Sequence, residues 1–504
     1  VQERGEVKLG KQYLGRYQFA HALFQQYLYN QLGAGERRIL HGEIAALLEE
    51  LYQGHTEGIA VQLARHYTEA GDDEKAVDYL LRAGDVAARL YAHAEARLHY
   101  SRALEVMARL PYTVENRQRR VDAQIKRVAS ASAADSPEEN LERLAEAERL
   151  VVGLPGPDGV PGGDRVRLAR VHYWMGRIHN IGNALPEAIM YFSQVLHVAQ
   201  EIGDAELLAM PSSAIGQALM LQGRLGKGEL LLRQAMTALE QTGNLPEWVR
   251  AQAYHGAAIA SMGDCALGMA ELKRALARAQ EMGSVYLVNH IQGVLVMAVL
   301  ACGDPLQAIE VACKSVKAAE ESGDRVQVYL GLGSQAMAQA YAGQFEAAEA
   351  SMAQSQAIAE EIGGRLALAD WFLAARAEIA LGLGHIKEAL GLAERTVTVA
   401  QQMDNPLVGA YAQRTWGQAL TELNPPRWDE AEVRFAESLR LLESAPSRPE
   451  SARTHLIWGT VCRDRGDLAA AREHWEQAVA LREACGITWQ VETVRALIET
   501  LPEG

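Results

Sequence analysis

The sequence predicts an all-α chain, a superhelical solenoid of antiparallel helix pairs. The first ground is composition. The 504 residues are 49% hydrophobic but only 6% aromatic, and Ala, Leu, Glu, Gln and Arg dominate. That mix favours helix nearly everywhere and gives strands little to use. The second is a glycine repeat. Gly223, Gly263, Gly303 and Gly343 are spaced by 40, Gly384 follows after 41, and Gly466 continues the series beyond an irregular connection at 424–428. Gly203, Gly243, Gly283, Gly323 and Gly363 form a second series, also spaced by 40. The third is turn chemistry. A glycine can end a helix in the left-handed region, and the Asp, Asn or Ser that follows can cap the next one. Each unit therefore holds two stops and two helices. A chain this long exceeds one ordinary core, but a solenoid grows without one.

The elements follow in order. Residues 1–55 are expected to be a helical segment that does not fit the repeat. Residues 56–152 carry irregular repeats, with Gly71, Ala76 and Ala83 in one unit and Gly84, Ala96 and Tyr100 in the next. A weaker unit over 113–152 turns at "SAADSPEE". Residues 153–164, "GLPGPDGVPGGD", form a Gly/Pro loop too rich in breakers to be helical. Eight units of about 40 residues fill 165–487. In these a small residue stands seven before the first turn (Gly176, Gly216, Gly256, Gly459) and another five after it (Ala188, Gly228, Gly268, Ala471). Bulky residues such as Phe192, Leu232 and Trp475 come four later. Residues 488–504 hold a capping helix and tail.

This small/large/small pattern resembles the tetratricopeptide repeat over most of the chain, with a period of about 40 in place of the usual 34. The resemblance implies a right-handed superhelix whose first helices line a concave groove. Counting six and three residues back from the first small position reaches that groove. Arg250, His290, Trp371, Tyr411, Arg414 and Arg453 are the candidate ligand-binding residues, because Arg and aromatic side chains make strong anchors. The alternative is ordinary groove lining. The three-back positions hold no Lys or Asn, so the terminal-carboxylate clamp of chaperone-tail grooves is not expected.

Residues 16–52, "RYQFAHALFQQYLYNQLGAGERRILHGEIAALLEELY", are followed by "LARHYTEAGDDEKAVDYLLRAGDVA" and "YAHAEARLHYSRALE". Together they resemble the segment after the nucleotide-binding module in bacterial signal-transducing ATPases of the STAND class, such as regulators related to the maltose-operon activator and multidomain proteins with a cyclase or kinase at the front. The resemblance covers roughly 90 residues. It implies that 1–55 is the tail of a winged-helix or linker region. It places a nucleotide-facing role on His21 in a parent protein; the alternative is a packed or capping histidine. It puts ATP or ADP only in an upstream ATPase domain of the same polypeptide, with no cofactor in this chain.

Other features exclude. A net charge of −15 repels phosphate backbones, so direct nucleic-acid binding is not expected. Arg117, Arg119, Arg120 and Arg127 read as a solvated helix face. Five scattered cysteines suit a reducing, cytoplasmic setting. No run of 18 apolar residues or signal peptide is visible, so no membrane partner is expected, and the opening residues read as a chain cut inside a larger protein. "GRLGKG" (223–228) lacks phosphate-loop spacing, and "VQVYLGLGSQA" (326–336) is a helix of the repeat rather than a dinucleotide loop. No catalytic or metal-binding pattern appears, so no enzyme is expected. The expected function is a sensor whose groove binds a protein or small-molecule inducer and regulates a STAND-type ATPase. The alternative is a general interaction scaffold without a nucleotide-linked switch.

Overall fold

A computed structural model describes residues 2–9, 12–19, 21–52, 54–90, 92–131, 135–152, 164–364 and 366–501. The Gly/Pro loop expected at 153–164 lies outside the described residues except for Asp164. The chain divides into two compact units, Val1–Ala131 with Glu142–Val171, and Ser132–Leu141 with His172–Gly504. No helix among the described residues is long and apolar enough to cross a membrane.

The first unit opens with a correction. Where a helix was expected, β1 (Gln2–Leu9) and β2 (Gln12–Gln18) pair as an antiparallel hairpin, with Val7 opposite Leu14. Polar and apolar residues alternate in "EVKL", the strand period, and composition averaged over the whole chain conceals so short a signal. Helices then follow: α1 (Ala22–Gln31), α2 (Ala34–Tyr52), α3 (Ala60–Ala70), α4 (Asp73–Arg89), α5 (His93–Met107), α6 (Val114–Ala131) and α7 (Pro137–Val152). Leu63, Tyr67, Ala76, Leu80, Ala103 and Met107 form the first unit's core. The Glu49 carboxylate ties three groups together, accepting from Tyr67 Oη and Tyr79 Oη at 2.5 Å and Lys75 Nζ at 2.7 Å. The α6 arginines are not simply solvated. Arg119 bridges Glu74 and Asp78, Arg120 donates to Met107 O and Arg127 to Ser101 Oγ, so they fasten α6 to its neighbours.

Among the described residues, eight helix pairs follow. They are α8 (Arg165–Ile181) with α9 (Leu185–Ile202), α10 (Ala205–Leu221) with α11 (Leu225–Thr242), and α12 (Leu245–Met262) with α13 (Cys265–Glu281). Next come α14 (Val285–Ala301) with α15 (Pro305–Ser322), α16 (Arg325–Tyr341) with α17 (Phe345–Ile362), and α18 (Ala369–Gly382) with α19 (Ile386–Gln402). The last are α20 (Pro406–Thr421) with α21 (Trp428–Ser444), and α22 (Arg448–Arg465) with α23 (Leu468–Ala484). A short α24 (Val491–Glu499) covers the end of the stack, placing Val491 and Val494 against Trp475 and Val479. At a typical stop, Gly263 takes φ 106° and the Asp264 carboxylate accepts from Leu267 N to start α13.

Small residues set the helix spacing. A Cβ at Gly176 would stand 2.6 Å from the Phe192 ring, and one at Gly459 would stand 2.5 Å from Trp475. Among the described residues, the tightest approach to backbone is between α12 and α13, where a Cβ on Gly268 would meet Gly256 O at 2.5 Å and Ala260 N at 2.6 Å. Those neighbours are backbone and cannot rotate away. Gly268→Ala is expected to destabilise by about 1–3 kcal/mol through overpacking. Gly391→Ala, on an exposed helix face with nothing within 4 Å, is expected to stabilise by about 0.5–1 kcal/mol. Urea midpoints of the two variants check the contrast.

The second unit also closes on itself. Residues some 180–187 positions apart meet repeatedly. Asn405 Nδ2 donates to Leu221 O at 3.1 Å, Ser447 Oγ to Ser261 O at 2.9 Å, and Arg448 Nε to Met262 O at 2.9 Å. Ala367 N donates to Ile181 O at 2.6 Å. Asn183 Nδ2 donates to Asp370 Oδ1 at 3.2 Å, and Asn405 Nδ2 reaches Asp370 Oδ2 at 2.9 Å. The accepting carbonyls lie at the C-termini of α8, α10 and α12, where a helix leaves them without partners. The stack thus returns to its own first turn after about four and a half repeats, a 184-residue step against a 40-residue period. Its own later helices cap its earlier ones. The open groove expected from the repeat is, in this unit, a closed inner wall.

Candidate functional site

First helices form the inner wall, and two polar clusters interrupt its alanine-rich surface. One centres on Glu247 of α12. Its Oε1 accepts from Ser213 Oγ at 3.1 Å and Gln217 Nε2 at 3.3 Å, both on α10, with Arg177 Nη1 of α8 at 3.8 Å. Its Oε2 accepts from Arg250 Nη1 at 2.8 Å. Burial opposes the Glu247 charge, but Arg250, Arg177 and the two hydrogen bonds outweigh it and hold the carboxyl below its ordinary pKa. Two guanidiniums therefore face one carboxylate. His290 of α14 packs between Tyr254 and Tyr286, with centroids 5.6 and 6.0 Å away. Burial pushes its pKa down to about 3, helped by Arg250 and Arg177, so the ring is neutral at pH 7. Its Nε2 and the Arg250 Nε are buried without a hydrogen-bond partner.

The other cluster centres on Glu450 of α22. Arg414 Nη1 of α20 donates to Glu450 Oε2 at 2.8 Å and lies 3.4 Å from Thr454 Oγ1. Arg453 pairs with Glu378 of α18 and stacks 4.0 Å from the Tyr341 centroid. Burial opposes the Arg453 charge, and Glu378 and Glu450 more than restore it. Trp371 and Tyr411 meet edge to face at 5.8 Å, and Trp371 Nε1 donates to Leu221 O at 3.0 Å. Beside them open two adjoining cavities of about 30 and 40 Å³, both bordered by Leu300, Met337, Trp371, Tyr411 and Glu450. Each has room for a few waters only.

The six groove candidates thus all lie on the inner wall, but in two sets. Arg250 and His290 belong to the first; Trp371, Tyr411, Arg414 and Arg453 belong to the second. Trp371 and Arg414 are not free anchors: they are 6% and 2% exposed, and Trp371 Nε1 and Arg414 Nη1 donate within the protein. His21 is exposed, precedes α1 and makes no side-chain cap, with its ring 6.2 Å from Phe24. Counting from the small residues passed over Glu247 and Glu450. Their signal is a shared motif: "PEWVR" on α12 and "PESAR" on α22 put a carboxylate three residues before the inner-wall arginine. Among the described residues, no group of three or more His, Cys, Asp or Glu is placed to hold a metal ion.

No protein-family model and no curated protein matches the chain. Solved structures do resemble it. A Rap protein complexed with competence and sporulation factor superposes with a TM-score of 0.57, covering 74% of this chain and 99% of that one at 12% identity. Aspartyl phosphate phosphatase F from Bacillus subtilis covers 73% of this chain and 96% of its own at 13% identity, with a TM-score of 0.42. At 12% identity the first likeness is one of fold, and it joins the eight helix pairs in identifying an all-α solenoid of tetratricopeptide-like repeats.

Proposed function

We propose that the chain is a regulatory, ligand-binding repeat domain whose inner wall receives a peptide or peptide-like inducer. The observation that carries this reading is the pair of buried arginine–carboxylate clusters beside tyrosines. Such pairs cost desolvation and contribute little net stability, yet they supply directional donors and acceptors where an extended backbone would need them. The neighbour of the same fold is complexed with competence and sporulation factor, which favours a bound ligand here too. Because the cavities are water-sized, a peptide enters only if the seam between turns parts. An inducer that binds the parted state would then shift the population toward it.

Enrichment from a random hexapeptide pool tests the reading. The chain is expected to retain a defined subset, and Arg453→Gln is expected to lose it by about tenfold or more, the worth of one charge-assisted hydrogen bond. No enrichment over the variant sinks it. Retention with unchanged hydrogen exchange at 221–224 and 403–407 would leave a plain scaffold.

The finer part of the proposal is that the regulated partner is a STAND-type ATPase domain of the same polypeptide. Support comes from α1 and α2, where Leu23, Phe24, Tyr27, Ile39 and Leu47 are 55–78% exposed. Apolar surface on that scale is expected where further protein packs. A hairpin before these helices suits the end of a winged-helix element. The gene's reading frame decides: absence of a phosphate-loop domain before Val1 removes this part.

A further inference from the structure

We infer that Cys265 and Cys302 form an oxidisable dithiol at the seam between turns, which hydrogen peroxide converts to a disulfide. Three cysteines, Cys265 and Cys302 from adjacent repeats and Cys485 from the last, meet in one cluster with Ile487 and Trp489. The remaining two stand apart, Cys313 exposed and Cys462 in the α22–α23 core. The cluster sits where the second turn seats on the first. A Cβ on Gly263 would lie 2.6 Å from Cys485 Sγ and 3.0 Å from Arg448 Nε, and one on Gly303 would lie 2.6 Å from Ile487.

The two thiols are not equivalent. Cys265 is the first residue of α13, where the helix terminus favours an anion. The neighbouring Cys302 thiol holds the Cys265 thiol below its ordinary pKa against burial and Asp264; Arg448 adds to the lowering. The same pairing and burial push Cys302 up. A contact with Ala260 O, at 4.0 Å, holds the Cys265 sulfur only weakly. Cys302 is also the partly exposed member, which gives peroxide an approach.

The chemistry balances in two steps. The Cys265 thiolate attacks one peroxide oxygen, the O–O bond breaks, and the departing hydroxide takes a proton to become water. Cys265 is left as a sulfenic acid. The Cys302 sulfur then attacks the Cys265 sulfur, the S–O bond breaks, and a second water leaves with the Cys302 proton. Two thiols are oxidised by two electrons and one peroxide is reduced to two waters. The resulting S–S bond, about 2.05 Å long, joins repeats across the surface on which Cys485 and Ile487 rest. Opening of the seam would then depend on redox state.

The test uses the full chain, titrated with hydrogen peroxide and mapped without reduction by mass spectrometry. A Cys265–Cys302 crosslink is expected while Cys313 and Cys462 remain thiols. In Cys302→Ser, dimedone is expected to trap Cys265 as its sulfenic acid. Backbone hydrogen exchange at 485–491 is expected to slow several-fold on oxidation of the wild type and not of the variant. Absence of the crosslink in the wild type, pairing of Cys265 with Cys485 instead, or earlier labelling of Cys313 overturns the dithiol. Unchanged or faster exchange overturns its role at the seam. The wild-type mapping stands even if the variant folds poorly.

Discussion

Arg414→Met is expected to lower stability by about 3–5 kcal/mol, the cost of leaving a buried carboxylate without its partner. Arg414 is 2% and Glu450 7% exposed. Their 2.8 Å contact is the shortest route by which the Glu450 charge is compensated. Arg453 lies near enough to feel that charge but is paired with Glu378, so it cannot take over both acids. Removing the partner is therefore worse than removing the pair. The double variant Arg414→Met/Glu450→Leu should recover most of the loss, because well-packed apolar replacements of buried ion pairs are often neutral. Urea midpoints of wild type, both single variants and the double variant close a cycle. A coupling below about 0.5 kcal/mol would mean that the pair is solvated in solution, not buried. The cycle also separates structure from use. If the cluster serves only packing, the double variant folds and retains peptides; if it serves recognition, it folds and releases them.

Most of this fold is written locally. The glycine at each stop, the Asp or Asn after it and the small residue opposite a bulky one all act within one repeat. Gly84 facing Tyr100 and Gly459 facing Trp475 could therefore be read in isolation. The closure of the stack could not. Its contacts join residues about 184 positions apart, and no local pattern encodes them. Gly223, Gly263 and Gly303 are crowded by Leu407, Cys485 and Ile487, whereas Gly343 and Gly384 face nothing within 4 Å. All five need glycine for the same reason, a positive φ at a helix stop, so the sequence cannot tell a seam glycine from a free one. The site was half legible for the same reason. Register placed Arg250 and Arg453 on the inner wall, but whether that wall is open or closed depends on the next turn. The hairpin at 2–18 shows the converse limit, a local alternation outvoted by the helix-rich average around it.

His290 should make the second unit sensitive to mild acid. Its pKa is about 3 in the folded protein against an ordinary 6.5. Above pH 6.5 the ring is neutral in both states and costs nothing. As pH falls below 6.5 the unfolded chain binds a proton that the folded chain refuses, so stability drops steadily toward pH 3. At pH 5 the full difference would be about 2 kcal/mol; partial exposure of the ring trims this to about 1–2 kcal/mol. His455, held near 4 by burial and by His474 3.0 Å away, pulls in the same direction, so the wild-type profile alone does not isolate one ring. The difference between wild type and His290→Gln does. The variant is expected to lose about 1–2 kcal/mol less between pH 7.5 and pH 5.0 in urea unfolding, and equal losses would remove His290 from the account. The consequence reaches the proposed function. A protonated His290 would stand with Arg177 and Arg250 against Glu247 alone. That is three positive charges to one, in a wall that a carboxylate-bearing ligand could neutralise. Acid should therefore loosen the empty wall and favour an acidic occupant by the same step.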